Sequence, residues 1–319
     1  MAVNDTTDNF LLKKIVKNII LNFQLLLYLI LNSRNADTVL FYDLYGLSLI
    51  FSKLLRKKTI IFIMGNPEQS IKFVYAKSAL KYLICAITKM QFRLVNIFAD
   101  LLISNSSNNL FNLRSGSSFI TTYRYVKEIF RINAPFYERN YYIGYVGRFS
   151  KEKGFENLLA SIPTLLSTNP KIQIMLIGDG PLRSKINNYI HSELSSRVLF
   201  FGWVAPSMVP SYLNKMRLIV VPSYTEGLPH VIIEAMACGT PVLAMPVGSI
   251  PDVIRDCETG FLLKSNDPKH IAEKIIELLN KPELLEKVSI NAYKYVRENF
   301  SYERTMELWR RIHEIQDGR

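Results

Sequence analysis

Residues 224–242 read YTEGLPHVIIEAMACGTPV. Two carboxylates, Glu226 and Glu234, stand on either side of a Gly-Leu-Pro turn. Pro229 suits the first turn of a helix, where its missing N–H would have no partner anyway. Glu226 therefore falls in a loop and Glu234 about one turn inside a helix. An apolar run, Leu218 to Val221, precedes the stretch, and another, Val242 to Ala244, begins at its last residue. Buried strand, loop, helix and second buried strand in succession form the unit from which parallel α/β sheets are built.

The unit recurs upstream. A strand from Tyr142 to Val146 leads into GRFSKEKG, and the next helix places Leu158, Leu159, Ile162, Leu165 and Leu166 on one face before stopping at Asn169-Pro170. The strand Ile172 to Ile177 runs into GDGPL, with Pro181 placed to start a helix, and Val198 to Phe201 precedes GWV. A terminal helical segment carries Ile271, Ile275, Leu278 and Leu279 as one stripe. The first half alternates in the same way. It has a helix around 11–31, a strand from Thr38 to Tyr42, a helix near 46–57 and a strand from Thr59 to Met64. After the break at Gly65-Asn66-Pro67 come a long helix bearing Lys77 and Lys81, a strand from Leu101 to Ser104, a helix near 106–114 and a strand near 118–122. The expected fold class is α/β, with two doubly wound parallel-sheet domains at 1–138 and 139–319. The last helix is a candidate to pack back on the first domain.

A chain of 319 residues that is 49% hydrophobic can fill two medium cores. The three cysteines, Cys85, Cys238 and Cys257, form neither a CxxC nor a disulfide framework, which fits a reducing compartment. Net charge is +12 and uneven: residues 1–135 hold 17 Lys and Arg against 7 Asp and Glu, and residues 136–319 hold 22 against 20. A basic, aromatic-rich first half suits nucleic acid or an anionic membrane surface, and equally a solvated surface with no specific partner. The apolar run Ile19 to Leu31 contains Asn22 and Gln24 and is too short to span a bilayer. No small-x-small cleavage site follows it. It is expected as a buried helix leading into a strand.

In doubly wound sheets, ligands bind beyond the carboxyl ends of the strands. The loops there carry Gly147-Arg148, Gly178-Asp179-Gly180, Gly202-Trp203, Glu226-Gly227-Leu228-Pro229 and Gly248-Ser249. Arg148 and Lys153 beside a helix start make a diphosphate clamp, and two spaced carboxylates can each accept vicinal hydroxyls. An isolated Glu-x7-Glu would serve equally as a helix cap and a solvent-facing acid. His191, His230, His270 and His313 show no metal-ligand grouping. Cys238 reads as a small core residue, and Trp203 either lines a nucleotide pocket or packs its own loop.

The segments GYVGRFSKEKGFENLLAS, LIGDGPL, FFGWV, VVPSYTEGLPHVIIEAMACGTPVLAMPVGSIPDVI and TGFLL follow one another between Tyr142 and Phe300. In that order and spacing the chain resembles the retaining GT-B glycosyltransferases of the large GT4 group. The resemblance implies two Rossmann-like domains facing a cleft, the N-terminal one shortened, and metal-independent transfer of a hexose-type sugar from a nucleotide-diphosphate sugar. Its product would be a cell-surface polysaccharide, lipopolysaccharide or glycolipid precursor. It implies that Arg148 and Lys153, with Gly147, hold the diphosphate, that Glu234 takes the ribose, and that the base sits near Phe201 and Gly202. Glu226 would contact the donor sugar, helped by the amides of Gly227 and Leu228, so that Glu226, Arg148 and Lys153 carry catalysis. No cofactor is expected beyond the donor substrate, and the chain contains no Asp-x-Asp. The acceptor is expected to be lipid-linked or an oligosaccharide, the partner surface an anionic membrane and not nucleic acid, and the location cytoplasmic at the inner face of the membrane. Two features depart from the family pattern: the chain opens in a helix where members open with a strand and a Gly-rich loop, and Met64 stands where many carry a histidine. They keep a second expectation open, a non-catalytic or partner-dependent GT-B protein that binds nucleotide sugar.

Overall fold

Two parallel sheets carry the chain, and their strands are apolar at successive positions because both faces are covered. The computed structural model describes residues 16, 19–32, 36–42, 46–63, 71, 81–104, 118–120, 125–139, 142–186 and 195–316. The chain divides into two compact units, residues 1–121 with 312–319, and residues 122–311.

In the first unit, helix α1 (19–32) precedes β1 (Thr38–Phe41), α2 (Gly46–Leu54), β2 (Lys58–Ile63), α3 (Lys81–Phe98), β3 (Leu101–Ser104) and β4 (Ser118–Ile120). The strands lie in the order β1-β2-β3-β4, all parallel. Ile61 stands opposite both Phe41 and Leu102, so these side chains share one face. On that face they pack with Leu49 of α2 and Val95 of α3, and Leu29 of α1 joins the cluster. Lys53 pairs with Asp100, whose other oxygen accepts the Thr59 amide at 2.7 Å, fixing the start of β2 beside β3. Helix α1 does lead into a strand, but it is not buried as expected. Leu25, Leu26 and Leu29 are half-buried, whereas Ile19, Ile20, Phe23, Leu27, Tyr28 and Leu31 stand exposed. A helix apolar on all sides offers more surface than one sheet face can cover. Met64, Lys77, His191 and the expected helix near 106–114 lie outside the described residues.

The second unit holds β5 (Tyr142–Val146), α4 (Phe155–Thr168), β6 (Gln173–Ile177), β7 (Val198–Gly202), α5 (Val209–Leu213), β8 (Met216–Val221), α6 (His230–Ala237) and β9 (Val242–Ala244). Then come α7 (Ile250–Val253), β10 (Phe261–Leu262), α8 (Pro268–Leu279), α9 (Pro282–Asn299) and α10 (Tyr302–Gln316), the last of which passes at residue 312 into the first unit. The sheet order is β10-β9-β8-β5-β6-β7. Alternate strand residues feed two cores: Ile174, Leu176 and Val220 join Phe155 and Ile275, while Met175, Ile177 and Ile219 join Met236 and Val296. The two-residue β10 gives too short an alternation to be read from sequence.

Residues 125–138 pack with the second unit, although the sequence places a boundary at 138/139. Val126 and Phe130 enter its core, and the Val126 amide donates to the Phe300 carbonyl at 2.9 Å. Buried Arg139 donates to the Cys238 carbonyl at 2.7 Å and to Thr240 Oγ1 at 2.9 Å, anchoring the end of that segment behind α6.

Candidate functional site

The strand order of the second sheet reverses between β5 and β8, which are neighbours although β6 and β7 intervene in the chain. Loops leaving these two strands emerge side by side at the carboxyl edge, the place where open α/β sheets bind ligands.

The loop after β5 passes through Gly147 and exposed Arg148, then makes a single 3-10 turn, Lys151–Lys153, closed by Gly154 at φ +66°. A Cβ on Gly154 would stand 1.9 Å from the Pro222 carbonyl oxygen, so only glycine lets this turn press on the loop after β8. The Tyr224 amide donates to the Glu152 carbonyl at 2.9 Å and joins the two loops. Lys153 Nζ then donates to Glu226 Oε1 at 2.6 Å, and Ser223 Oγ donates to the same oxygen at 2.8 Å. The Glu226 side chain is 8% exposed and that of Lys153 31%. Glu226 Oε2 has no hydrogen bond among the described residues.

A third loop, after β9, holds Glu226 from the other side. Gly248, at φ +59°, would place a Cβ 2.1 Å from the Glu226 carbonyl oxygen, and the Ser249 amide donates to the Gly227 carbonyl at 3.0 Å. Beneath the site, buried Tyr145 donates to the Arg148 carbonyl at 2.7 Å. Burial, together with the charges of Glu226 and Glu152, raises its phenol above the ordinary range and keeps it a neutral donor.

Lys153, Glu226, Gly227 and Leu228 are thus brought together with Arg148 and Gly147 on the adjoining loop. Phe201 and Gly202 end β7, with the Phe201 ring 4.8 Å from that of Tyr212 and the Gly202 carbonyl accepting the Gly178 amide at 2.7 Å. Trp203 is exposed and does not pack its loop. Glu234 is carried on α6. With His230 and Ile233 it lines a pocket of about 550 Å³ that Tyr125, Lys127, Phe130, Pro206 and Ser207 also line. Cys238 is fully buried, as its neighbours indicate. Among the described residues, no group of three His, Cys, Asp or Glu side chains is arranged to hold a metal ion.

Sequence reasoning missed Ser223, Tyr145 and the 125–130 wall. Ser223 stands three residues before Glu226 in the same loop, a legible spacing for a shared hydrogen bond. The wall gives no signal, because its composition is that of a connection between domains.

The family model for glycosyl transferases group 1 matches residues 126–295. The chain belongs to this family. Among group 1 relatives, the capsular polysaccharide biosynthesis glycosyltransferase CapM of Staphylococcus aureus is 34% identical over 164 residues, which is 51% of this chain and 43% of CapM. The alpha-D-kanosaminyltransferase of Streptomyces kanamyceticus is 32% identical over 149 residues, 46% of this chain and 39% of that protein. The chain matches about half or less of the length of these curated relatives. In fold, it is similar to Anabaena HepE in complex with UDP, with a TM-score of 0.74 at 19% identity over 92% of this chain and 82% of HepE. Sucrose-phosphate synthase from Thermosynechococcus elongatus gives a TM-score of 0.69 at 22% identity over 88% and 74%. The GT-B assignment of the group 1 chain is therefore made by sheet architecture as well as by sequence.

Proposed function

We propose that the protein is a retaining glycosyltransferase that moves a hexose-type sugar from a nucleotide-diphosphate sugar to a lipid-linked or oligosaccharide acceptor, toward a cell-surface polysaccharide or glycolipid. The observation that carries this reading is the Lys153–Glu226 pair, held at the switch point of the sheet by two glycine contacts. Glu226 Oε2 is the acceptor for a hydroxyl of the donor sugar, while Ser223 and Lys153 hold Oε1 and fix the carboxylate plane. Lys153 and Arg148 supply positive charge beside that sugar, where the leaving diphosphate gains negative charge as the glycosidic bond breaks. Such fixed charges act without reorganising during the reaction. Glu234 takes the ribose hydroxyls within its pocket, and Phe201 and Gly202 border the base. The solved neighbour in complex with UDP supports uridine nucleotides as the first donors to try.

Thermal unfolding against UDP, GDP, ADP and their sugar conjugates tests this reading. A ligand at a hundred times its Kd adds about 2.7 kcal/mol, a shift readily seen. A shift with one base class identifies the donor, and none with any nucleotide overturns the reading. With a donor in hand, NMR of the product reports anomeric configuration. A rate unchanged by EDTA is expected for metal-free transfer, and a rate abolished by EDTA and restored by a divalent ion would overturn that part.

A further inference from the structure

Large apolar side chains are exposed in both units, but in the second they stand mostly apart, as Met208 and Ile290 do. In the first they gather on helices. Along α1, Ile20, Phe23, Leu27 and Leu31 recur at helical spacing, with Phe23 68% and Leu31 72% exposed. Along α3, Tyr82, Leu83, Met90 and Ile97 do the same, and Lys89 and Arg93 are exposed beside them. Both helices lie on the same face of the four-stranded sheet, since Leu29 of α1 and Val95 of α3 enter one cluster with Phe41 and Ile61. Their outer sides therefore face the same way. None of the described residues of α1, α2 or α3 is acidic, Arg56 and Lys57 follow α2, and Asp100, just beyond α3, is paired with Lys53.

We propose that the outer sides of α1 and α3 dock this unit on an anionic lipid bilayer, with the apolar side chains entering the headgroup region and the lysines and arginines meeting lipid phosphates. Charge selects this occupant. Among the described residues, every charged side chain carried by α1, α2 and α3 is a cation; such a face repels a second copy of itself and attracts a negative surface, where each basic residue contributes about a fivefold gain in binding. No described helix is long and apolar enough to cross a membrane, so α1 and α3 would lie in the interface plane. The proposal rests on the glycosyltransferase reading only in its purpose, bringing the unit to a lipid-borne acceptor.

The test is flotation of the full chain with vesicles of phosphatidylcholine alone and of phosphatidylcholine containing about one third phosphatidylglycerol. Binding is expected to the anionic vesicles only, weakened by salt but not lost at about 1 M, where charge alone is screened and insertion is not. The pairs F23E with L27E, L83E with M90E, and K89E with R93E are each expected to lower binding about tenfold or more. All six positions are exposed, and an unchanged melting shift with UDP in these variants would show the second unit intact. Equal binding to both vesicle types, or complete loss at high salt, would overturn the proposal. So would a dimer by light scattering that F23E with L27E dissociates, which would assign the face to self-association. Failure of UDP to shift the wild-type melt would count against the donor reading and leave the flotation result standing.

Discussion

At the residue scale, Glu226 combines burial, one cation and one hydroxyl on a single oxygen. Glu226→Ala is expected to lower kcat by about a hundredfold to a thousandfold, the range for losing one preorganised polar contact in a transferase site. Far-UV circular dichroism should remain unchanged, because Lys153 keeps partial access to water. A variant that transfers at the wild-type rate would remove Glu226 from the mechanism. The two cysteines of this unit should separate by environment. Cys238 is fully buried, and burial, reinforced by the charge of Glu234 and only partly offset by Arg139, pushes its thiol up to about 12. Cys257 is exposed. Mass spectrometry after alkylation of the native protein is expected to find Cys257 modified and Cys238 modified only in denaturant. The residues that carry charge were legible from their types and spacing in 148–153 and 226–234. Tyr145 was not, because its role depends on which way β5 turns its side chains relative to a loop.

At the element scale, the short glycine-closed turns matter more than the helices. Gly154→Ala or Gly248→Ala would drive a methyl into backbone at a left-handed residue, and each is expected to destabilise the second unit by at least about 2 kcal/mol. Urea unfolding checks this, and donor affinity should fall with stability because both residues border Glu226. In the first unit, β2 and β3 are joined through Asp100. Burial raises its pKa, but hydrogen bonds from Lys53 and Thr59 and the charge of Lys53 outweigh burial and hold it below 3.8. The folded carboxyl thus binds its proton less readily than the unfolded one. The pair stabilises above about pH 4 and the gain is lost as pH falls through the folded pKa. For a half-exposed pair the effect is about 1 kcal/mol or less. Asp100→Asn should flatten the acid limb of the unfolding curve between about pH 5 and pH 3. The order of the longer strands and of the helices between them was legible, because continuous apolar runs bounded by glycine and proline have few other readings, whereas β10 and the short helices α5 and α7 offered too few residues to show a period. The exposure of α1 was not, because sequence shows that a helix is apolar without showing how much surface awaits it.

At the scale of the whole molecule, the two sheets are separate compact units, and the candidate site is built from the second alone. Hydrogen exchange with a bound nucleotide is therefore expected to show new protection in residues 147–154, 222–229 and 230–237, with the strands of the first unit unaffected. Protection appearing mainly in β1 to β3 would mean that the nucleotide binds elsewhere. The order β10-β9-β8-β5-β6-β7 also bears on how the protein is made. As the chain leaves the ribosome, β5, β6 and β7 can pair at once, but the other edge of β5 waits for β8 at Met216–Val221. Until then an apolar strand edge meant for the middle of a sheet is open to any passing strand. Translation through the residues between β7 and β8 is the vulnerable interval of its synthesis. A chain stopped there should collect in inclusion bodies, and one that has passed residue 221 has closed its most dangerous edge.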